Sequence, residues 1–216
     1  MSEEIDPQNL SDNTARDRSI VNFLFEVGTM RRLPRIHRQV LLNEDMTDTI
    51  ASHSYRVAVI AWFLAKIEGA DPFKCITMGI FHDIAEARTG DHNWVHKKYI
   101  KAYETEVLND QFGNLPYPDL KDLVFEYEHR ESKEAIVTKQ ADILDQILLL
   151  REYEWQGNKE AMIWLYGKES ITGSESNKGQ AQLKKLTLPS AIELGKMIYE
   201  VSPSEWWENI WTSKNR

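Results

Sequence analysis

The chain has 216 residues, 42% of them hydrophobic and 28% charged, an ordinary balance for one folded domain around one sizeable core. Its 26 basic and 34 acidic side chains leave a formal charge of −8, the wrong sign for binding by neutralisation of a polynucleotide backbone, so no polymeric nucleic acid partner is expected. No run approaches the roughly 18 apolar residues of a membrane span, the first dozen residues lack the apolar stretch of a secretory leader, and the single cysteine, Cys75, excludes an internal disulfide. A cytoplasmic protein without a membrane partner is therefore expected.

Residues 1–14 carry few apolar side chains and read as a flexible N-terminal arm. From Ala15 the pattern is helical, with Ile20, Phe23, Leu24 and Val27 at three- and four-residue spacing, and Pro34 closes the segment. Residues 43–49 are a polar loop, and Asp48 or Thr49 caps a helix that runs to Glu68 and stops at Gly69. Val57, Ala61, Phe63, Leu64 and Ile67 leave that helix little polar face, so it is expected in the middle of the core. Asp71-Pro72 opens a third helix that leads through Ile76 and Ile80 to His82-Asp83. Beyond Gly90, helices are predicted near 95–112, 119–128 and 132–155, with shorter ones near 189–200 and 204–212. The stretch 171–179, rich in Ser, Gly and Asn, reads as a loop. No alternating run calls for a strand. The expected fold is all-α: a single-domain irregular helical bundle with its core in 15–157 and a C-terminal helical extension, 158–216, packed upon it.

The most informative stretch runs from His82 to Asp91. Adjacent His and Asp on a helix project about 100° apart and can lean on one ion between them, and Glu86 follows at i+4 and i+3. A lone His-Asp pair is more often a cap or a surface pair. His53, in the most apolar helix, reads in isolation as a hydrogen-bonded core histidine, and Asp142, among Ile136, Val137, Ile143 and Ile147, as half of a salt bridge to Lys139. Asp145, three residues on, reads either as a sugar-hydroxyl contact or as a solvent-facing ion pair. In the cluster Arg31, Arg32, Arg35, His37 and Arg38, one arginine facing a pocket with the others solvated is the favoured arrangement. Trp206, Trp207, Ile210 and Trp211 suit packing onto the core or a second subunit better than stacking on a base.

Taken together, the order His53, His82-Asp83, Asp142 resembles the H…HD…D pattern of the HD-domain hydrolase superfamily. It is closest to the bacterial 5′-deoxynucleotidases and related small HD-domain proteins. Arg32-Leu33-Pro34, His53-Ser54 with Arg56-Val57-Ala58, His82-Asp83-Ile84-Ala85-Glu86, Thr89-Gly90-Asp91 and Lys139-Gln140-Ala141-Asp142 each resemble a segment of that group, over about two thirds of the chain. The chain departs from the group at Ser52, where an acidic residue is usual, at Leu33, where an aromatic is usual, and between Val40 and Ile50.

What the resemblance implies is a metal-dependent phosphohydrolase, most plausibly a nucleoside 5′-monophosphate phosphatase using metal-activated water. His53, His82, Asp83 and Asp142 would be the ligands of one divalent ion (Mn, Co, Fe, Ni or Zn). Glu86 and Asp91 would handle the attacking water and its proton, and Arg32 would grip the phosphate, with Arg35 and Asp145 as further substrate-binding candidates. The partners implied are a small phosphorylated nucleotide and, from the apolar C-terminal helices, a second copy in a homodimer. A phosphodiesterase or nucleotide pyrophosphohydrolase is the alternative chemistry, and a catalytically silent HD module that binds a nucleotide is the alternative class.

Overall fold

The computed structural model describes residues 7–168 and 180–211, and every regular element among them is helical. Three helices form the centre: α3 (Ile50–Glu68), α4 (Pro72–Phe81) and α9 (Lys133–Trp155). Before them come α1 (Pro7–Val27) and the short α2 (His37–Val40). Between α4 and α9 lie α5 (Glu86–Thr89), α6 (Trp94–Lys97), α7 (Glu104–Phe112) and α8 (Pro118–His129). The chain finishes with α10 (Lys159–Tyr166), α11 (Pro189–Glu200) and α12 (Glu205–Trp211).

The helix starts follow local chemistry. Thr49 caps α3 by accepting from the Ser52 N–H, and Ser52 Oγ returns the bond by accepting from the Thr49 N–H at 2.8 Å, a reciprocal capping box. Asp71 caps α4 with Pro72 at its first position, and Ser132 caps α9. Helix α1 begins at Pro7, so residues 7–14 are helical rather than a loose arm. Polar residues with adequate helix propensity extend the apolar segment backwards, and Asn13 to Arg18 stay exposed. Residues 1–6 and the loop expected at 171–179 lie outside the described residues. The helix predicted over 95–112 is divided into α6 and α7, because Asn93 caps a single turn that ends before Ile100.

Two large apolar clusters and a small one, Met78 with Tyr127 and Ala135, fill the interior. Of the large clusters, one joins α3, α9, α10 and α11 through Val57, Leu64, Ile147, Leu165 and Ala191; the other joins α1, α7 and α8 to the start of α3 through Phe23, Ile50, Phe112 and Val124. Gly79 sets the spacing of α4 against α3, since a Cβ there would lie 2.8 Å from the Ala58 Cα. Helix α3 is not surrounded as its composition suggests. Its inner side is fully buried, but Tyr55, Val59, Phe63 and Ile67 face outward into solvent.

Candidate metal centre

The polar cluster grows from the three central helices. His53 lies one turn into α3, Asp142 lies in the middle of α9, and His82 and Asp83 sit on the turn that leaves α4, which Gly79 holds close to α3. Both imidazoles are buried. The Nε2 atoms of His53 and His82 stand 3.2 Å apart, Asp142 Oδ1 is 3.2 Å from His53 Nε2, and Asp83 Oδ2 is 3.1 Å from His82 Nε2 and 3.5 Å from His53 Nε2. His53, His82 and Asp142 each offer one ligand atom within 4.8 Å of the others. Donors about 2.1 Å from one ion and at right angles around it stand roughly 3 Å apart, so this spacing and this mixture of two imidazoles and two carboxylates suit a divalent cation.

Each imidazole is turned toward the cluster by its other nitrogen. His53 Nδ1 pairs at 2.6 Å with Asp145 Oδ2, and His82 Nδ1 donates at 2.9 Å to the Gly79 carbonyl. These bonds place the Nδ1 protons and leave the Nε2 lone pairs facing the cluster. Asp145 is therefore not free to reach a sugar hydroxyl. It is buried, and its Oδ1 pairs with Arg56 Nε, whose Nη1 in turn reaches Glu152 Oε1 at 2.6 Å. Its position one turn after Asp142, on the face that packs against α3, is the signal that could have revealed this brace.

The Lys139–Asp142 bridge exists as well, with Nζ 2.6 Å from Oδ2, so one oxygen of Asp142 meets the lysine and the other meets His53. The salt-bridge reading of that aspartate therefore holds, and its other oxygen remains turned toward the imidazole. Burial pushes Asp83 and Asp142 up, but the neighbouring imidazoles outweigh it and hold both carboxylates well below their usual range. Burial and Arg35 push His53 down, yet Asp142, Asp145 and Asp83 outweigh them and raise it well above the ordinary imidazole value.

Of the arginines, Arg35 is buried and Arg32 is exposed. The segment 33–35 pairs with 48–50, with Arg35 N–H donating to Asp48 O and Ile50 N–H to Leu33 O, which places Arg35 beside the start of α3. Its guanidinium feels Asp83, Asp91, Asp142 and Asp48, and these carboxylates keep it charged despite burial. Asp91 lies beside it: Oδ2 accepts from the Ile36 N–H at 2.6 Å and stands 3.6 Å from Arg35 Nε. In this structure Asp91 ties the arginine segment to the turn after α5.

Glu86 is different. Its Oε2 is buried and finds no hydrogen-bond partner among the described residues, and burial together with Asp83 and Asp91 pushes its carboxyl up to about 9. Asp48, overlooked in the sequence, is partly buried beside Arg35 and His53, and burial pushes it up to about 6. With Asp45, Thr47, Ser52, Arg56 and Glu152 it lines an open cleft of about 360 Å³ that reaches His53. Ser52 therefore does what a carboxylate often does at the third position of a helix, completing the cap, while the orienting carboxylate comes from α9.

An all-helical domain that gathers His53, His82 and Asp142 within 4.8 Å of one another, with Asp83 beside both imidazoles, carries a donor set that suits a divalent cation. The sequence profile of the HD domain matches residues 30–185, and the chain belongs to the HD domain family. It is 30% identical over 210 residues to the 5′-deoxynucleotidase HDDC2 of Xenopus laevis, covering 91% of this chain and 94% of that protein. A 5′-deoxynucleotidase of Erwinia tasmaniensis is 30% identical over 151 residues, covering 61% of this chain and 74% of the relative. Among solved structures, a conserved hypothetical protein from Pyrococcus furiosus superposes with a TM-score of 0.64 at 26% identity, over 84% of this chain and 99% of that one.

Proposed function

We propose that this protein is a metal-dependent phosphomonoesterase that releases phosphate from nucleoside 5′-monophosphates. The reading is carried by the convergence of His53, His82, Asp83 and Asp142 on one point, with a buried, charged Arg35 beside it. The 5′-deoxynucleotidase relatives support the substrate class. The four side chains would hold one divalent ion, of the series Mn, Co, Fe, Ni or Zn, which would neutralise phosphoryl charge and acidify a water.

The chain's own residues supply the rest. Asp145 and the Gly79 carbonyl hold both imidazoles in the tautomer that presents Nε2. Arg35 offers a planar fork to a phosphate, and burial at that point strengthens the pairing, while the exposed Arg32 would be a second contact for the substrate. Glu86, with a buried Oε2 that has no hydrogen-bond partner among the described residues and a carboxyl pushed up to about 9, would keep a proton near neutral pH and exchange it with the attacking water or the leaving oxygen. Asp91 positions Arg35 and can share that proton traffic. No helix among the described residues is long and apolar enough to cross a membrane, which agrees with a cytoplasmic setting, and a homodimer completes the reading.

Metal analysis of the purified protein, followed by a screen with several divalent ions, tests the proposal. Inorganic phosphate is expected from nucleoside 5′-monophosphates, ribo or deoxy. Pyrophosphate from triphosphates, or a monoester from a cyclic or linear diester, would instead establish the alternative chemistries, and stoichiometric metal without turnover on any of them would overturn the enzyme reading.

A further inference from the structure

The outward face of α3 has no partner among the described residues. Tyr55, Val59, Phe63 and Ile67 recur every four residues along it and are 73%, 41%, 56% and 60% exposed. The only other exposed residues of this nineteen-residue helix are Ser52 and Lys66, so the stripe carries a single charge, at its far end. A helix face that meets water normally carries charge at such positions. Beside the stripe runs a groove of about 550 Å³ between α3, α9, α11 and the start of α12, lined by Ile60, Phe63, Leu148, Met197, Val201 and Trp206. Groove and stripe form one patch through Phe63. The patch borders the cleft at His53, because Glu152 lines both.

We propose that a second copy of this chain covers this patch, with the two α3 helices packed antiparallel across a two-fold axis. This deepens the homodimer part of the proposed function by assigning its surface. Three observations select a second copy. The stripe alternates aromatic, aliphatic, aromatic, aliphatic, so an antiparallel pairing centred between Val59 and Phe63 sets Tyr55 against the partner's Ile67 and Val59 against the partner's Phe63. Each large ring then meets a smaller side chain, the self-complementarity that a two-fold interface demands. Counting the exposed fractions of the stripe, Met197, Val201 and Trp206, the apolar area is roughly 700–900 Å², against the ~800 Å² per partner of a standard-size interface. Finally, two chains of charge −8 repel, and the α3 stripe, with Lys66 as its one exposed charge and a groove edged by the oppositely charged Arg151 and Glu152, lets them meet at low electrostatic cost. The same arrangement would place the partner at the edge of the His53 cleft.

Sedimentation velocity of the full chain across micromolar concentrations tests this without reference to metal or turnover, so it can fail while the hydrolase reading stands, and the reverse. The wild type is expected to sediment as a dimer. Phe63→Glu and Val59→Lys, each folded by circular dichroism, are expected to weaken association on the order of 100-fold. Phe73→Glu, on an exposed α4 position outside the groove, is expected to leave it unchanged. Mixed in equal amounts, the Phe63→Glu and Val59→Lys chains are expected to associate more tightly than either alone, since the new charges would face each other across the axis. A monomeric wild type overturns the proposal, as does a dimer indifferent to both α3 substitutions. A dimer broken by them but without preference in the mixture overturns the antiparallel register.

Discussion

The two halves of the metal centre are held in different ways. On the α3–α9 side, His53 is braced by a chain of paired charged groups that runs from the buried Asp145 through the half-buried Arg56 to Glu152 at the surface. On the side of the turn after α4, His82 rests on one backbone carbonyl, and Glu86 nearby keeps a buried oxygen without a partner. A fully paired network resists rearrangement, because every displacement strands a buried charge. A carboxyl with a spare oxygen and a raised pKa is suited to exchanging protons. One half is therefore suited to fixing geometry and the other to moving a proton, and the proposed catalytic and supporting roles divide along that line.

The largest break is removal of the shared centre. Asp142→Asn, or chelation of the wild type, is expected to cut phosphate release by more than about 10³-fold, with the metal content of the variant measured by mass spectrometry. Next, Glu86→Gln is expected to lower kcat by about 10²–10⁴-fold while leaving bound metal unchanged. Loss of metal in that variant would erase the distinction between the halves. Asp145→Asn is expected to act oppositely, weakening metal affinity about 10–100-fold in a competition titration, with partial recovery in Asp145→Glu.

Gly79→Ala sharpens the comparison from the packing side. The added methyl meets the α3 backbone, and a loss of about 1–3 kcal/mol in chemical denaturation is expected. The smallest effect concerns Asp48, whose carboxyl is pushed up to about 6 chiefly by burial. The folded chain then binds that proton more tightly than the unfolded one. The associated stability is full at the ordinary carboxylate pKa and below, and is lost as pH rises through about 6. Asp48→Asn is therefore expected to stabilise the fold near pH 7.5 by on the order of 1–2 kcal/mol, read as a higher thermal midpoint, with a gain that fades toward pH 4. A pH-independent gain would show that packing, not charge, is responsible.

Much of this was legible before any coordinates. The order of helices follows from periodicity and punctuation: Asp71-Pro72 and Ser132 open α4 and α9, and Gly69 closes α3. The four ligand candidates and Glu86 came from the resemblance to the HD-domain pattern; residue type and spacing alone suggested only a core histidine at His53 and a salt bridge at Asp142. The short α2, α5 and α10 were missed, because segments of four to eight residues span too few turns to display a period.

Other features needed the third dimension. Which arginine is buried depends on the pairing of 33–35 with 48–50, a contact that composition does not encode. Asp145 as the brace of His53 depends on two helices 92 residues apart in sequence crossing at that turn. The α3 face shows the limit most clearly. The sequence determined that the helix is apolar around its circumference, because hydropathy is local. Only the tertiary structure decided that one apolar stripe of that surface is left in water, because burial depends on how many neighbours the rest of the chain can bring to it.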